Sequence, residues 1–208
     1  MIRIITRENE AKHHKTLKAC FQLRHKVFVK ELGWKDLNNA DNCEIDQFDT
    51  DDAVHIVVMD GERPVGYSRL LPSTKPHLLS EVFPHLATRN PIPKGPDTFE
   101  WTRYCVASSH RGGSAISKTA SELIYGVLEY CTANNISSLT AVYEAVWITR
   151  FLELGFDVTP LGLPDHQDKH MIVGVHMKIV EHTMDITRTM RNLDTTMPRA
   201  RSRQIESI

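Results

Sequence analysis

The stretch F-E-W-T-R-Y-C-V, Phe99 to Val106, decides how this chain is read. Its aromatic and β-branched residues are those of a β-strand. Yet it carries Glu100 and Arg103 in its middle and runs into Ala107-Ser108-Ser109-His110-Arg111-Gly112-Gly113, a turn that opens a long helix. A strand feeding a glycine-containing turn at a helix start suits an anionic cofactor, because the first helical amides point outward unpaired. Strict alternation would send Glu100 and Arg103 to opposite faces. A β-bulge between them brings both to one side and splays the strand from its neighbour. That bulge is expected here.

Upstream of this strand, Val54–Met59 and Pro64–Leu71 flank Asp60-Gly61-Glu62-Arg63, a hairpin signal. Alternation puts Val65, Tyr67, Arg69 and Leu71 on one face, so Arg69 lies where the core should be. Residues 78–86 suit a short helix broken by Pro84, and 87–97 a connection. Residues 31–53 have no periodicity but hold seven acids between Asp36 and Asp52. With Trp34, Ile45 and Phe48 among them, they read as an ordered acidic lid with aromatic anchors. Residues 12–30 have helical spacing, with Leu17, Phe21, Arg24 and Phe28 on one stripe. Arg24 there either lies flat with its stem buried or faces a pocket. Residues 2–5 suit a first strand.

Downstream, residues 114–132 form an amphipathic helix, 137–142 a strand, and 144–154 a helix closed by Gly155. Residues 156–161 and 171–180 are the last strands, joined by a polar loop. His166 and His170 in that loop have i, i+4 spacing but no helix around them, so no metal site is read there. The expected fold is α/β (α+β): an acetyltransferase-like (GNAT-type) three-layer sandwich. Its mixed, mostly antiparallel sheet has helices on both faces and a splayed central strand. Residues 1–182 make one domain, and 183–208, with Arg188, Arg191, Arg199, Arg201 and Arg203, a mobile basic tail.

The bulk numbers exclude several classes. At 208 residues with 41% hydrophobic and 25% charged content, the chain can bury a core without staples. A net charge of −1 gives no pull toward nucleic acid or an anionic membrane. Cys20, Cys43, Cys105 and Cys131 show no C-x-x-C spacing, which points to free thiols in a reducing compartment. Neither a signal peptide nor a membrane span is read, so the expectation is a cytoplasmic monomer or weak dimer.

Three arginines (24, 69 and 103) and the acids Asp46, Asp49 and Glu100 sit in otherwise apolar contexts. Buried charges persist only when paired, so these should find one another. Ser108–Ser114 could cradle a phosphate. Trp101, Trp147 and Phe151 could line an acyl or aryl pocket, though core packing is the usual use of such rings.

In this order and spacing the residues resemble the acyl-homoserine-lactone synthases, the autoinducer synthases of bacterial quorum sensing. The match runs from about Leu23 to Pro164. It includes L-R-H-K-V-F-V-K-E-L-G-W (23–34), E-I-D-Q-F-D (44–49), G-Y-S-R-L-L-P-S-T-K-P (66–76), L-L-S-E-V-F-P-H-L (78–86) and E-W-T-R-Y-C-V (100–106). The family's characteristic positions are carried by Arg24, Phe28, Trp34, Asp46, Asp49, Arg69, Glu100 and Arg103, with Thr102 where serine is common. The resemblance implies an acyltransferase with no tightly bound cofactor, using S-adenosyl-L-methionine and an acyl thioester.

That substrate carries a sulfonium, an ammonium and a carboxylate. Asp46 and Asp49 can meet the cations, Arg24 the carboxylate, and Phe28 and Trp34 the sulfonium or adenine, while Arg103 is expected to bind this substrate and, with Glu100 and Arg69, to be catalytic. Glu100, raised in pKa by burial yet restrained by Arg103 and Arg69, is the candidate base for the amine. A strand amide at the bulge could hold the thioester oxyanion. The substrate carboxylate then displaces methylthioadenosine and closes the lactone. Trp101, Thr102, Val106, Arg111, Gly112, Val142, Trp147 and Phe151 are the expected acyl and pantetheine residues. For the donor, acyl-carrier protein is favoured over acyl-CoA, with Arg111, Lys118 and Arg150 as docking cations. Residues 80–87 and 158–164, with Trp101 and Trp147, look more like members that take branched or aryl acyl-CoA. A generic acetyl-CoA N-acetyltransferase and a non-catalytic binding module are the alternatives; the acidic lid with Trp34 argues against the first.

Overall fold

The computed structural model describes residues 1–113, 117–167 and 169–193. The chain divides into two compact units, one built from residues 1–69 and 103–133, the other from 70–102 and 134–192.

In the first unit β1 (Ile2–Ile5) pairs antiparallel with β2 (Val54–Asp60), Ile2 opposite Val58 and Ile5 opposite His55. Gly61, at φ +57°, turns the chain into β3 (Arg63–Pro72). The order is completed by β4 (Thr98–Val106), after which the Ala107 amide donates to the Val65 carbonyl at 2.8 Å. Helix α1 (Glu10–Arg24) runs directly into seven π-helical residues, His25–Glu31. Alternation sorts the two sheet faces. Ile5, Val57, Met59, Tyr67 and Cys105 pack with Cys20, Leu23, Val27 and Phe28. Ile2 and Ile56 face α3 (Lys118–Ala133) at Gly126, where an added Cβ would come within 3.1 and 3.2 Å of their methyls. Each such apolar side chain contributes about 1.5–3 kcal/mol by leaving water.

The second unit begins with a parallel pair. β4 lies beside β5 (Ser138–Glu144) in register from Thr98–Ser138 to Glu100–Thr140. β5 then pairs antiparallel along its whole length with β8 (His170–Ile179). β6 (Phe156–Pro160) and the short β7 (Asp165–Gln167) also pair with β8. On one face lie α2 (Leu78–Glu81) and a 3-10 turn (Pro84–Leu86), whose Leu79 and Leu86 pack with Leu161, Ile172 and Val142. On the other lies α4 (Trp147–Glu153), whose Phe151 stacks on Tyr143 at 5.1 Å and meets Trp101 and Phe156 edge-on at 5.5 and 5.6 Å. Each unit is thus a mixed sheet or part of one with helices on both faces, the expected sandwich.

The differences from expectation have physical reasons. β4–β5 pairing ends at Glu100–Thr140 although β5 continues to Glu144, as the expected splay requires. The kink falls on Arg103 itself, at φ +55°. The long helix starts at Lys118 rather than Ser114, which lies outside the described residues. Asp165–Gln167 is a strand, so His166 and His170 are spent on a hairpin in which Gln167 opposes His170. Thr183–Met190 is a helix, α5, where a tail was expected. Its buried residues are threonines: Thr183 and Thr187 donate their hydroxyls to the Gly155 and Leu154 carbonyls at 2.7 and 3.0 Å. Hydrophobic periodicity does not detect a face made that way. The rest of the basic tail lies beyond the described residues. Among these, no helix is long and apolar enough to cross a membrane.

Candidate active site

The first unit holds a closed loop of six charges. Arg24 closes α1, Glu44, Asp46 and Asp49 come from the acidic segment, Arg69 from β3, and Arg103 from the kink of β4. Arg24 donates through Nε to Glu44 at 2.6 Å and through both Nη to Asp49 at 2.7 and 2.9 Å. Arg69 reaches Asp49 at 2.6 Å and grips Asp46 at 2.7 and 2.9 Å. Arg103 holds Asp46 at 2.7 Å and Glu44 at 3.1 Å. Each carboxylate therefore bridges two guanidiniums, and the charges sum to zero.

This is how the protein tolerates so much buried charge. Arg24, Arg69 and Glu44 are fully buried, and Asp49 almost so. Asp46 and Arg103 are the members with surface left, at 13% and 7% of the side chain. Burial works to raise the carboxyl of Asp49, but the bonds from Arg24 and the charges of Arg24 and Arg69 outweigh it and hold the group well below the usual range. Asp46 is lowered in the same way, against its own burial, by Arg69 and Arg103. Arg103 adopts its left-handed backbone conformation at an expected cost of about 1–2 kcal/mol, and its guanidinium lies over the Phe28 ring at 5.8 Å. Phe28 stacks on Trp34 at 5.1 Å and 13°, and Trp34 keeps 40% of its surface.

Behind Arg24 lies a buried relay. Its Nη1 donates to the Tyr67 hydroxyl at 3.3 Å, which is 2.7 Å from His55 Nδ1. Burial keeps the phenol protonated and lowers His55 to about 4. Tyr67 therefore donates to a neutral His55 while accepting from Arg24. The consequence is a pH slope. An unfolded histidine binds a proton below about pH 6.5 and the folded His55 only near 4. Stability should fall by up to ~3 kcal/mol as pH drops through that window. Denaturant melts from pH 7 to 4 should show the slope, and His55→Phe should flatten it.

In the second unit Glu100 is fully buried at the start of α2. The Leu78 amide donates to its Oε2 at 2.8 Å and the Leu79 amide to its Oε1 at 2.6 Å. These backbone donors were not expected. Arg69 and Arg103 answer to Asp46, Asp49 and Glu44.

The other expected residues separate. Arg24, expected to meet a substrate carboxylate, spends its donors on Glu44, Asp49 and Tyr67 and is 0% exposed. Phe48 is the buried anchor of the acidic segment, whereas Ile45 is 52% exposed. Trp101 and Phe151 share a cluster on the face of the strands away from Glu100, and Val142 lies on the Glu100 face with Leu79 and Leu86. Thr102 is buried, but Trp147 is 41% exposed and lies on the surface of α4. Val106 is buried, and its carbonyl accepts from Arg111 Nε at 2.9 Å. Arg111 also meets Glu31 at 2.6 Å, and Gly112 turns the backbone at φ +77°. Glu44 was missed by the sequence reading. Its signal was available in E-I-D-Q-F-D, where it shares strand-like alternation with Asp46.

Residues 8–186 match the family described as autoinducer synthase. The isovaleryl-homoserine lactone synthase of Bradyrhizobium diazoefficiens is 38% identical over 186 residues, 89% of this chain and 83% of its own length. The solved CoA-dependent acyl-homoserine lactone synthase BjaI, holding SAM and isopentyl-CoA, is 36% identical with a TM-score of 0.86, covering 92% of this chain and 89% of that one; it was also solved with MTA. A solved structure from Lactobacillus plantarum described as an N-acetyltransferase shares the fold alone, at 22% identity, a TM-score of 0.54 and coverage of 86% of this chain and 99% of that one. Six charges closed into one loop, an aromatic pair beside it and a splayed strand carrying Glu100 thus occur in a chain that belongs to the autoinducer synthase family.

Proposed function

We propose that this acyl-homoserine-lactone synthase acylates S-adenosyl-L-methionine from an acyl-CoA and then closes the lactone with release of methylthioadenosine. The CoA-bound relative at 36% identity is what favours CoA over carrier protein as donor. The ring supports the amino-acid half of the reading. Asp46 and Arg103, the two members with some surface left, suit the ammonium and the carboxylate, and the open face of Trp34 suits the sulfonium or adenine.

Glu100 is the proposed base, lying three residues before Arg103 on one strand. The acyl chain is assigned to the second unit, where β4–β5 pairing ends at Glu100 and Trp101, Phe151 and Val142 supply apolar side chains. Arg111, freed from Glu31, and Gly112 would take the pantetheine and phosphate arm. With the amine and thioester held in contact, positioning supplies much of the rate.

The experiment is direct. The purified chain should convert S-adenosyl-L-methionine and a branched acyl-CoA to equal amounts of methylthioadenosine, free thiol and a lactone identified by mass. Thiol release without methylthioadenosine would mark a simple acetyltransferase and end the reading. Turnover with acyl-carrier protein but no acyl-CoA would overturn the donor assignment.

A further inference from the structure

The acyl transfer proposed for Glu100 has a proton to dispose of. A substrate ammonium loses two protons as its nitrogen forms the N–C bond and the C–S bond breaks. The departing thiolate takes one and Glu100 the other. A carboxylate with 0% exposure cannot pass that proton to bulk water directly.

We propose that His77 is the proton exit of Glu100, acting through that carboxylate rather than on the substrate; this inference rests on the base role given to Glu100. His77 immediately precedes the two residues whose amides hold Glu100, and its Nδ1 lies 3.5 Å from Glu100 Oε1. That nitrogen is buried with no well-formed hydrogen bond; the ring faces the Ser80 backbone N–H at the start of α2 and is otherwise left to receive a proton. The residue is held by its main chain, because Ser80 Oγ accepts from the His77 amide and donates to its carbonyl, both at 3.0 Å.

On its other side His77 lines a cavity of about 250 Å³ with Ser73, Thr74, Lys75, Ser80 and Lys94. Thr74, Lys75 and Lys94 are exposed, so this cavity opens to solvent. His77 is itself only 1% exposed, but it lines this cavity and Glu100 does not, so the imidazole is the nearer of the two to water. The charged groups around it are Glu100 from β4, Glu81 from α2, and Lys75 and Lys94 on the cavity wall. The proton moves from Glu100 Oε1 to His77 Nδ1, and the imidazolium so formed gives a proton to water in the cavity. Glu100 returns to its carboxylate form. A 3.5 Å separation needs only a small closure to become a hydrogen bond, as such contacts tighten once substrate is bound.

The test uses the full chain with His77→Ala and His77→Phe. His77→Ala should lower kcat about 10- to 100-fold, with the KM of both substrates unchanged. Added imidazole should restore part of the loss in His77→Ala, with a pH dependence that follows the free imidazole base. It should not rescue His77→Phe, whose ring fills the space. A purely structural role would not respond to imidazole. Wild-type turnover in His77→Phe between about pH 6 and 9 would overturn the proposal. So would a His77→Ala protein that melts like wild type yet gains nothing from imidazole. Glu100→Gln separates the two readings: if it is slow while His77→Ala is fast, only the exit fails, and if it turns over normally, the base assignment fails first.

Discussion

Glu100→Gln should lower kcat by about 10²- to 10⁴-fold while leaving the KM for S-adenosyl-L-methionine almost unchanged. The side chain keeps its length and loses the ability to accept a proton from the amine. Binding is spared because the proposed contacts to that substrate come from Asp46, Arg103 and Trp34. A structural effect accompanies the kinetic one. Both oxygens of Glu100 accept a backbone N–H, from Leu78 and Leu79. The glutamine amide must turn its NH₂ toward one of those donors, which leaves a buried N–H unsatisfied at a cost of about 1–3 kcal/mol. Glu100→Asp keeps the charge but draws it back by one methylene, so turnover should rank Glu, then Asp, then Gln. Steady-state kinetics with methylthioadenosine as readout decide it. A Gln variant with wild-type kcat removes Glu100 from the chemistry.

Asp49→Asn should be the most destabilising single change in the charged loop, by about 3–5 kcal/mol. Asp49 is the shared partner of Arg24 and Arg69, both fully buried. Removing its charge leaves a net positive loop in a place that water does not reach. For a chain of this size each kcal/mol moves Tm by about 2–4 °C, so a fall of roughly 10 °C is expected. Asp46→Asn, with 13% of its side chain in water, should cost less. Acid tests the same bonds with a definite sign. Asp46 and Asp49 are depressed in the folded state. Their contribution is therefore full above the unfolded value near pH 4 and is lost as pH falls toward their folded values. That loss sets in below the His55 window. Equal Tm values for the two Asn variants would show that burial does not rank these carboxylates.

Much of this was readable from residue patterns. Cations on apolar stripes at 24 and 69, and one in the middle of a strand at 103, had to be paired, and Asp46 and Asp49 were legible as partners where Glu44 was not. What the sequence did not show is who pairs with whom. Glu100 and Arg103 share a strand, yet the first is held by amides from α2 and the second by Glu44 and Asp46. Backbone donors leave no mark in a sequence, and a helix as short as Leu78–Glu81 barely does. α5 escaped because threonines form its buried side, and β7 because a three-residue exposed strand has no hydrophobic alternation. Trp147, 41% exposed on α4, shows that sequence alone does not tell an indole on a helix surface from one in a packed cluster.

The six-membered loop behaves as a two-coloured necklace: each bead touches only the other colour, and recolouring any one creates two faulty junctions at once. No single exchange of sign can therefore be repaired by one neighbour. Attempts to broaden the amino-acid substrate of this enzyme should leave the necklace whole and vary the ring at Trp34, where one face is still free to be reshaped.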